Sequence, residues 1–238
     1  MQRIFRGAAV LLILTSVAGA ADKKTAAKPA TSRFEISFPK EMSATPLDGH
    51  VLLVIANNND TEPRFQISFM TAQSQQIFGA DVDALAPGSP AVIDAATLGY
   101  PAESLNDIPA GDYWVQAVLN IYDTFHLANG RTLKLPPDKG EGQHWQTKPG
   151  NLYSQPVKMH VDPKSAGTIH IVLSEKIPSI DENSQRVDSL LNWGRTSAGH
   201  PADSKWVKHI RVPSPMLTKF WGKPTELGAV VLLPPGAI

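Results

Sequence analysis

The stretch DYWVQAVLNIY, Asp112 to Tyr122, decides how this chain folds. Read at period two, Tyr113, Val115, Ala117, Leu119 and Ile121 form one wholly apolar face. Trp114, Gln116, Val118, Asn120 and Tyr122 form a mixed one. Successive side chains of a strand point to opposite faces, so the pattern predicts a long β-strand with one face in a core. Pro109-Ala110-Gly111 just before it supplies a turn, because proline presets φ and glycine accepts positive φ.

The same period recurs on either side. Phe34, Ile36 and Phe38 alternate with Arg33, Glu35 and Ser37, and Phe65, Ile67 and Phe69 alternate with Arg64, Gln66 and Ser68. Both read as half-buried strands, with Phe34, Phe65, Phe69 and Tyr113 in the core. Val51 to Ala56 is a continuous apolar run, short enough for a central strand buried on both sides, and Asn57 to Asp60 supplies turn residues after it. A hairpin is expected between Val157–Val161 and Thr168–Leu173. Pairing Val161 with Ile169 sets Met159 opposite Ile171 and Val157 opposite Leu173, and leaves His160 and His170 facing each other outside. Trp206 to Val212 and Leu227 to Leu233 are further strands. One helix is expected, with Ser214 as cap, Pro215 at its first position, Met216 to Trp221 as its body and Gly222 at its end. Twenty prolines and seventeen glycines punctuate these short strands. The fold class is all-β: an antiparallel β-sandwich, immunoglobulin-like or related, with one short C-terminal helix.

The chain begins with a basic start, an apolar run from Gly7 to Val17, and Ala18-Gly19-Ala20, the parts of a secretory signal peptide. The run is shorter than the roughly 20 apolar residues of a spanning helix, so cleavage after Ala20 is expected, with no later membrane span. The organisation is a signal peptide over 1–20, a tether over 21–32, a sandwich over 33–205 and a strand–helix–strand segment over 206–238. Export to the periplasm or the exterior follows. The absence of cysteine means that no disulfide framework supports the core. Lys plus Arg equals Asp plus Glu at 22 each, without the basic excess of a nucleic-acid binder.

No G-x-S-x-G nucleophile elbow occurs, so no catalytic residue is assigned. Asp123, His126 and His144, or the pair His160 and His170, make only part of a zinc set, and exposed structural histidines are the better reading. Gly140-Glu141-Gly142 lacks the lysine and helix of a phosphate loop. Neither metal nor cofactor is expected. The irregular stretch Asp123 to Ser154 carries Asp123, His126, Glu141, Gln143, His144, Trp145 and Tyr153. Structureless segments beyond about 12–15 residues are commonly functional. Asp123, His126, His144, Trp145 and Tyr153 are therefore the candidate ligand-binding residues, with Trp145 and Tyr153 stacking a saccharide or other flat small molecule. The better reading folds this loop over the sandwich edge and buries the same aromatics, because buried aromatics are the common case.

Four segments carry a resemblance: FGADVDALAPG (Phe78 to Gly88), GYPAESLNDIPAGDYWVQAVLNIYDTFHLANG (Gly99 to Gly130), EGQHWQTKPGNLYS (Glu141 to Ser154) and VKHIRVPSPMLTKFWGKPTELGAVVLLPPG (Val207 to Gly236). They resemble the N-terminal β-rich region of exported bacterial putative esterases, in which such a domain precedes an α/β-hydrolase domain of the enterochelin-esterase or esterase-D type. The resemblance implies that LGAVVLLPPG is an early strand of that hydrolase domain, with the sequence stopping before any nucleophile. It implies a non-catalytic accessory or binding domain of a truncated or split hydrolase, acting in positioning or substrate binding, whose partner is an α/β-hydrolase domain or chain, and it transfers no catalytic residue. Two other readings stand beside it: a hydrolase subunit active only with a separate catalytic chain, and a free-standing ligand-binding protein.

Overall fold

The computed structural model describes residues 31–68, 70, 74–137, 144–178, 203–234 and 236. The signal peptide, nearly all of the tether, Phe69, Glu141 and Gln143 lie outside the described residues. The strands run β1 (Ser32–Ser37), β2 (Leu47–Ala56), β3 (Gln76–Leu85), β4 (Ala91–Ile93), β5 (Gly99–Tyr100), β6 (Gly111–Ile121) and β7 (Asp123–His126). They continue with β8 (Thr132–Leu135), β9 (Leu152–Tyr153), β10 (Val157–Val161), β11 (Gly167–Val172), β12 (Glu175–Lys176), β13 (Val207–Pro213) and β14 (Glu226–Leu232). The α-helix α1 (Pro215–Trp221) joins the last two.

The fold is an all-β sandwich. A seven-stranded sheet in the order β12-β9-β6-β2-β3-β5, with β10 also on β6, packs against a three-stranded sheet in the order β11-β1-β4. Every ladder is antiparallel except β1 with β11, where Phe34 lies beside Ile169 and Ile36 beside Ile171. The core forms where the apolar faces meet: Phe34 and Ile36, Ile93 and Ile171 against Val51, Leu53, Ile55, Val115, Ala117 and Leu119. Ala117 apart, each of these side chains contributes roughly 1.5–3 kcal/mol on burial. Tyr113, at the start of β6, donates its hydroxyl to the Pro109 carbonyl at 2.8 Å and so fixes the entering turn. The run Val51 to Ala56 is buried throughout, on both faces, as its composition predicts.

Two expectations are corrected. Residues 64–68 form no strand. Pro63–Phe65 is a 3₁₀ turn lying on the outer face of β6, and Phe65 is only half-buried. Proline has no N–H to give a ladder, and the Arg64 N–H is taken by the Gln116 side chain at 3.0 Å. Val157–Val161 and Gly167–Val172 are strands but not a hairpin. β10 joins β6, with Val157 opposite Val115 and Met159 opposite Tyr113. β11 crosses to the other sheet and runs parallel to β1. Alternation fits a hairpin and such an arch equally well, and it is β6 and β1 that recruit the two strands. Met159 is therefore not paired with Ile171, nor His160 with His170. His160 faces Asp112 at 2.9 Å and His170 faces Glu35 at 3.4 Å.

At the C-terminal end the sequence reading holds closely. Ser214 Oγ accepts from the Leu217 N–H at 3.3 Å, Pro215 starts α1, and Gly222 closes it at φ +68°. β13 and β14 pair antiparallel from Val207 opposite Leu232 to Pro213 opposite Glu226.

Candidate functional site

The stretch Asp123 to Ser154 is more regular than expected, because β7 and β8 form a hairpin within it, Asp123 opposite Leu135 and His126 opposite Thr132. This hairpin is held at both ends. Lys134 on β8 pairs with Asp48 at 2.9 Å and with Asp83. Its hydrogen bond, followed by that of the Ala84 N–H, holds the Asp48 carboxyl below the usual carboxylate range. The acceptor is in place because the β2–β3 ladder bulges here: Asp83 and Ala84 stand against Asp48, and Ala84 takes φ +49°. On the other side the hairpin grips α1. Lys223 pairs with Asp123 at 2.8 Å and sits over the Phe125 ring at 4.4 Å. Phe125 meets Trp221 edge-on at 5.7 Å, and the Ala128 N–H donates to the Phe220 carbonyl at 3.0 Å.

The five candidate residues therefore fall in separate places. Asp123 and His126 are on β7, the first paired with Lys223 and the second bonded through Nδ1 to Thr132 Oγ1 at 3.0 Å. His144 and Trp145 lie in a turn tied down by Asn151, whose Nδ2 donates to the Trp145 carbonyl and to Asn120 Oδ1. Tyr153 is on β9 beside Val118, on the outer face of the seven-stranded sheet. No hydrogen bond, ion pair or ring contact joins these three places among the described residues. Among the described residues there is also no group of three or more His, Cys, Asp or Glu placed to hold a metal ion.

Around Tyr153, however, there is a polar cluster that the sequence reading does not single out. The Arg64 guanidinium lies over the Tyr153 ring at 4.0 Å and the Phe65 ring at 4.7 Å. Glu62 faces it, with Oε2 2.9 Å from Nε. Gln116, fully buried on β6, donates Nε2 to Glu62 Oε2 at 2.8 Å and to the Ser154 carbonyl at 3.0 Å. The signal for this site is Gln116 itself. A glutamine inside the apolar run Val115 to Leu119 is buried from both sides and must find partners for its amide.

A second feature is a cleft of about 240 Å³ inside the β10–β11 arch, lined by Val115, Met159 and Ile171 with Ser154 and His170.

Compared with known proteins, the chain matches no family model, no curated protein and no solved structure.

Among the described residues, several exposed large apolar side chains gather on β13 and β14. Direct cross-strand pairs share a face, which places Lys208, Ile210, Val212, Leu227, Ala229 and Val231 together, with Trp206 continuing the row where the Leu233 N–H donates to its carbonyl. Trp206, Ile210, Val212 and Leu227 are each 41–53% exposed. On the other face Val230 and Leu232 are exposed too. β14 is thus apolar on both faces, the composition of a strand covered from both sides. A two-stranded sheet is at best marginally stable alone, and α1, which joins β13 to β14, is itself tied to the β7–β8 hairpin.

Proposed function

We propose that this chain is a non-catalytic accessory β-domain of an exported, esterase-like protein, and that β13 and β14 join it to an α/β-hydrolase domain or chain. The observation that carries the reading is the apolar strand pair. A strand apolar on both faces suits the interior of a sheet flanked by helices, and Trp206, Ile210, Val212 and Leu227 offer one face for such a layer. The segment resemblance supports the same partner, since VKHIRVPSPMLTKFWGKPTELGAVVLLPPG covers this unit. Export follows from the leader-like start, and the sandwich over 33–205 acts by positioning rather than by chemistry.

The test is ester hydrolysis. The purified chain is expected to give no turnover of p-nitrophenyl acetate above buffer. Joined to a G-x-S-x-G hydrolase encoded beside it, it is expected to bind, and Val212→Asp with Leu227→Lys is expected to abolish that binding while the sandwich stays folded. Enzymatic turnover by the chain alone, or binding indifferent to the two substitutions, would overturn the reading.

A further inference from the structure

We infer that Arg64 and Gln116 form a carboxylate-binding cradle on the outer face of the seven-stranded sheet, occupied in this structure by the chain's own Glu62. The inference is independent of the esterase reading.

The donors converge on one point. Arg64 is 93% buried, by its 7% exposure, and its guanidinium is held flat by Tyr153 and Phe65. Gln116 is locked on β6, its Oε1 accepting from the Arg64 N–H and its Nε2 donating to the Ser154 carbonyl. The remaining Nε2 proton and the guanidinium both address the Glu62 carboxylate. A planar guanidinium and a planar carboxylate bind best as a fork against a fork, through two parallel hydrogen bonds. Glu62 does not reach that arrangement. It is two residues from Arg64, and only Nη2 donates to it, at 3.4 Å. Nε lies 2.9 Å from Oε2 but its N–H is not aimed at the oxygen, and the buried Nη1 meets no acceptor. Buried donors of this kind are normally satisfied. A carboxylate free of the backbone tether can align with the fork and keep the Gln116 bond, while Glu62 turns outward from a position already 38% exposed. The ligand class is a monocarboxylate, and the aromatic walls favour a flat one.

The alternative is a staple that holds residues 57–68 on the sheet. The two differ in what an external carboxylate does. Benzoate is the probe, with neutral benzamide as control, at fixed ionic strength. On the intact chain, NMR is expected to show the Gln116 side-chain amide and the Tyr153 ring shifting with benzoate and not with benzamide. A competitor tethered so closely acts at an effective concentration in the millimolar range or above. Glu62→Ala, or Glu62→Gln if the first variant folds poorly, is therefore expected to bind benzoate at least about tenfold more tightly. Adding Arg64→Lys is expected to remove that gain, because an ammonium has no fork. The inference is overturned if benzoate leaves Gln116 unmoved in the intact chain, if a folded Glu62 variant binds no more tightly, or if binding persists with Arg64→Lys.

Discussion

Gly222→Ala is expected to release α1 from the β7–β8 hairpin while leaving the sandwich intact. Gly222 closes α1 at φ +68°, and its N–H donates to the Thr218 carbonyl at 2.9 Å. An alanine in this left-handed conformation costs roughly 1–2 kcal/mol. At Gly222 there is a second cost. A Cβ added there would stand under 3.0 Å from the backbone carbonyl of His126, a separation that Cβ atoms do not tolerate. Backbone cannot rotate aside as a side chain can, so helix and hairpin must part, at a further cost of about 1–3 kcal/mol by analogy with overpacked cores. Gly130→Ala is the control, since Gly130 has φ +81° but nothing within 4 Å of the added carbon. Hydrogen exchange at the Ala128 amide, which donates to the Phe220 carbonyl, reads the contact directly. Protection of that amide is expected to fall at least about thirtyfold in Gly222→Ala, the equivalent of 2 kcal/mol, and to fall less in Gly130→Ala. Amides of β2 and β6 should be unchanged. Equal losses in the two variants would refute the reasoning, because the effect would then be conformational alone.

Other consequences follow from the sandwich. Leu53→Ala, at a fully buried site on β2, is expected to cost about 2–5 kcal/mol in urea unfolding. Tyr113→Phe removes the bond to the Pro109 carbonyl and is expected to cost about 1 kcal/mol, a fall in Tm of a few degrees. Burial first, and then the nearby Asp81 carboxylate, hold the Tyr122 hydroxyl above its ordinary value of 10.0. The folded pKa is raised, so its contribution is complete below pH 10 and is lost as pH rises through the folded value. Tyr122→Phe should flatten that part of an alkaline unfolding curve. Asp48 runs the other way. Its folded pKa lies below 3.8, so its contribution is present above that pH and lost as pH falls through the lower value, a step that Asp48→Asn should remove from an acid titration.

Where apolar periodicity and burial coincide, the sequence is sufficient. β6 carries five apolar residues on one face, β2 is apolar on both from Val51 to Ala56, and α1 announces both its ends through Ser214, Pro215 and Gly222. The failures share a cause, which is that a strand's partner is chosen by residues far along the chain. Val157–Val161 and Gly167–Val172 have the alternation of a hairpin, and nothing local states that β6 and β1 compete for them. QIFGADVDAL over Gln76–Leu85 passes unread because its residues are mostly half-buried or exposed, so little apolar pattern is selected, although it pairs along most of β2. Residues 64–68 mislead in the opposite direction. Phe65 and Ile67 alternate as in a strand, yet Pro63 and the buried Arg64 anchor a turn. The candidate site was legible only in part. Tyr153 does lie in a polar cluster, but its companions Glu62, Arg64 and Gln116 come from segments that sequence spacing cannot bring together.

The placing of Asp123 and His126 bears on the proposed role of the sandwich. His126 is exposed and Asp123 half-buried, yet each is already engaged, His126 Nδ1 with Thr132 inside the β7–β8 hairpin and Asp123 with Lys223 beside the C-terminal unit. The hairpin links the bulge of the seven-stranded sheet, through Lys134, to α1 and so to the strands proposed to meet the partner. Exposed ion pairs such as Asp123 with Lys223 contribute at most about 1 kcal/mol and weaken with salt. What fixes the geometry is the contact that tolerates no substitution, Gly222 against the His126 carbonyl, together with the edge-on packing of Phe125 on Trp221. A joint built from close backbone approach holds an angle; a joint built from surface charge alone would let it swing. That distinction supports the proposed positioning role of the sandwich, from which the proposed carboxylate cradle on its outer face is separate.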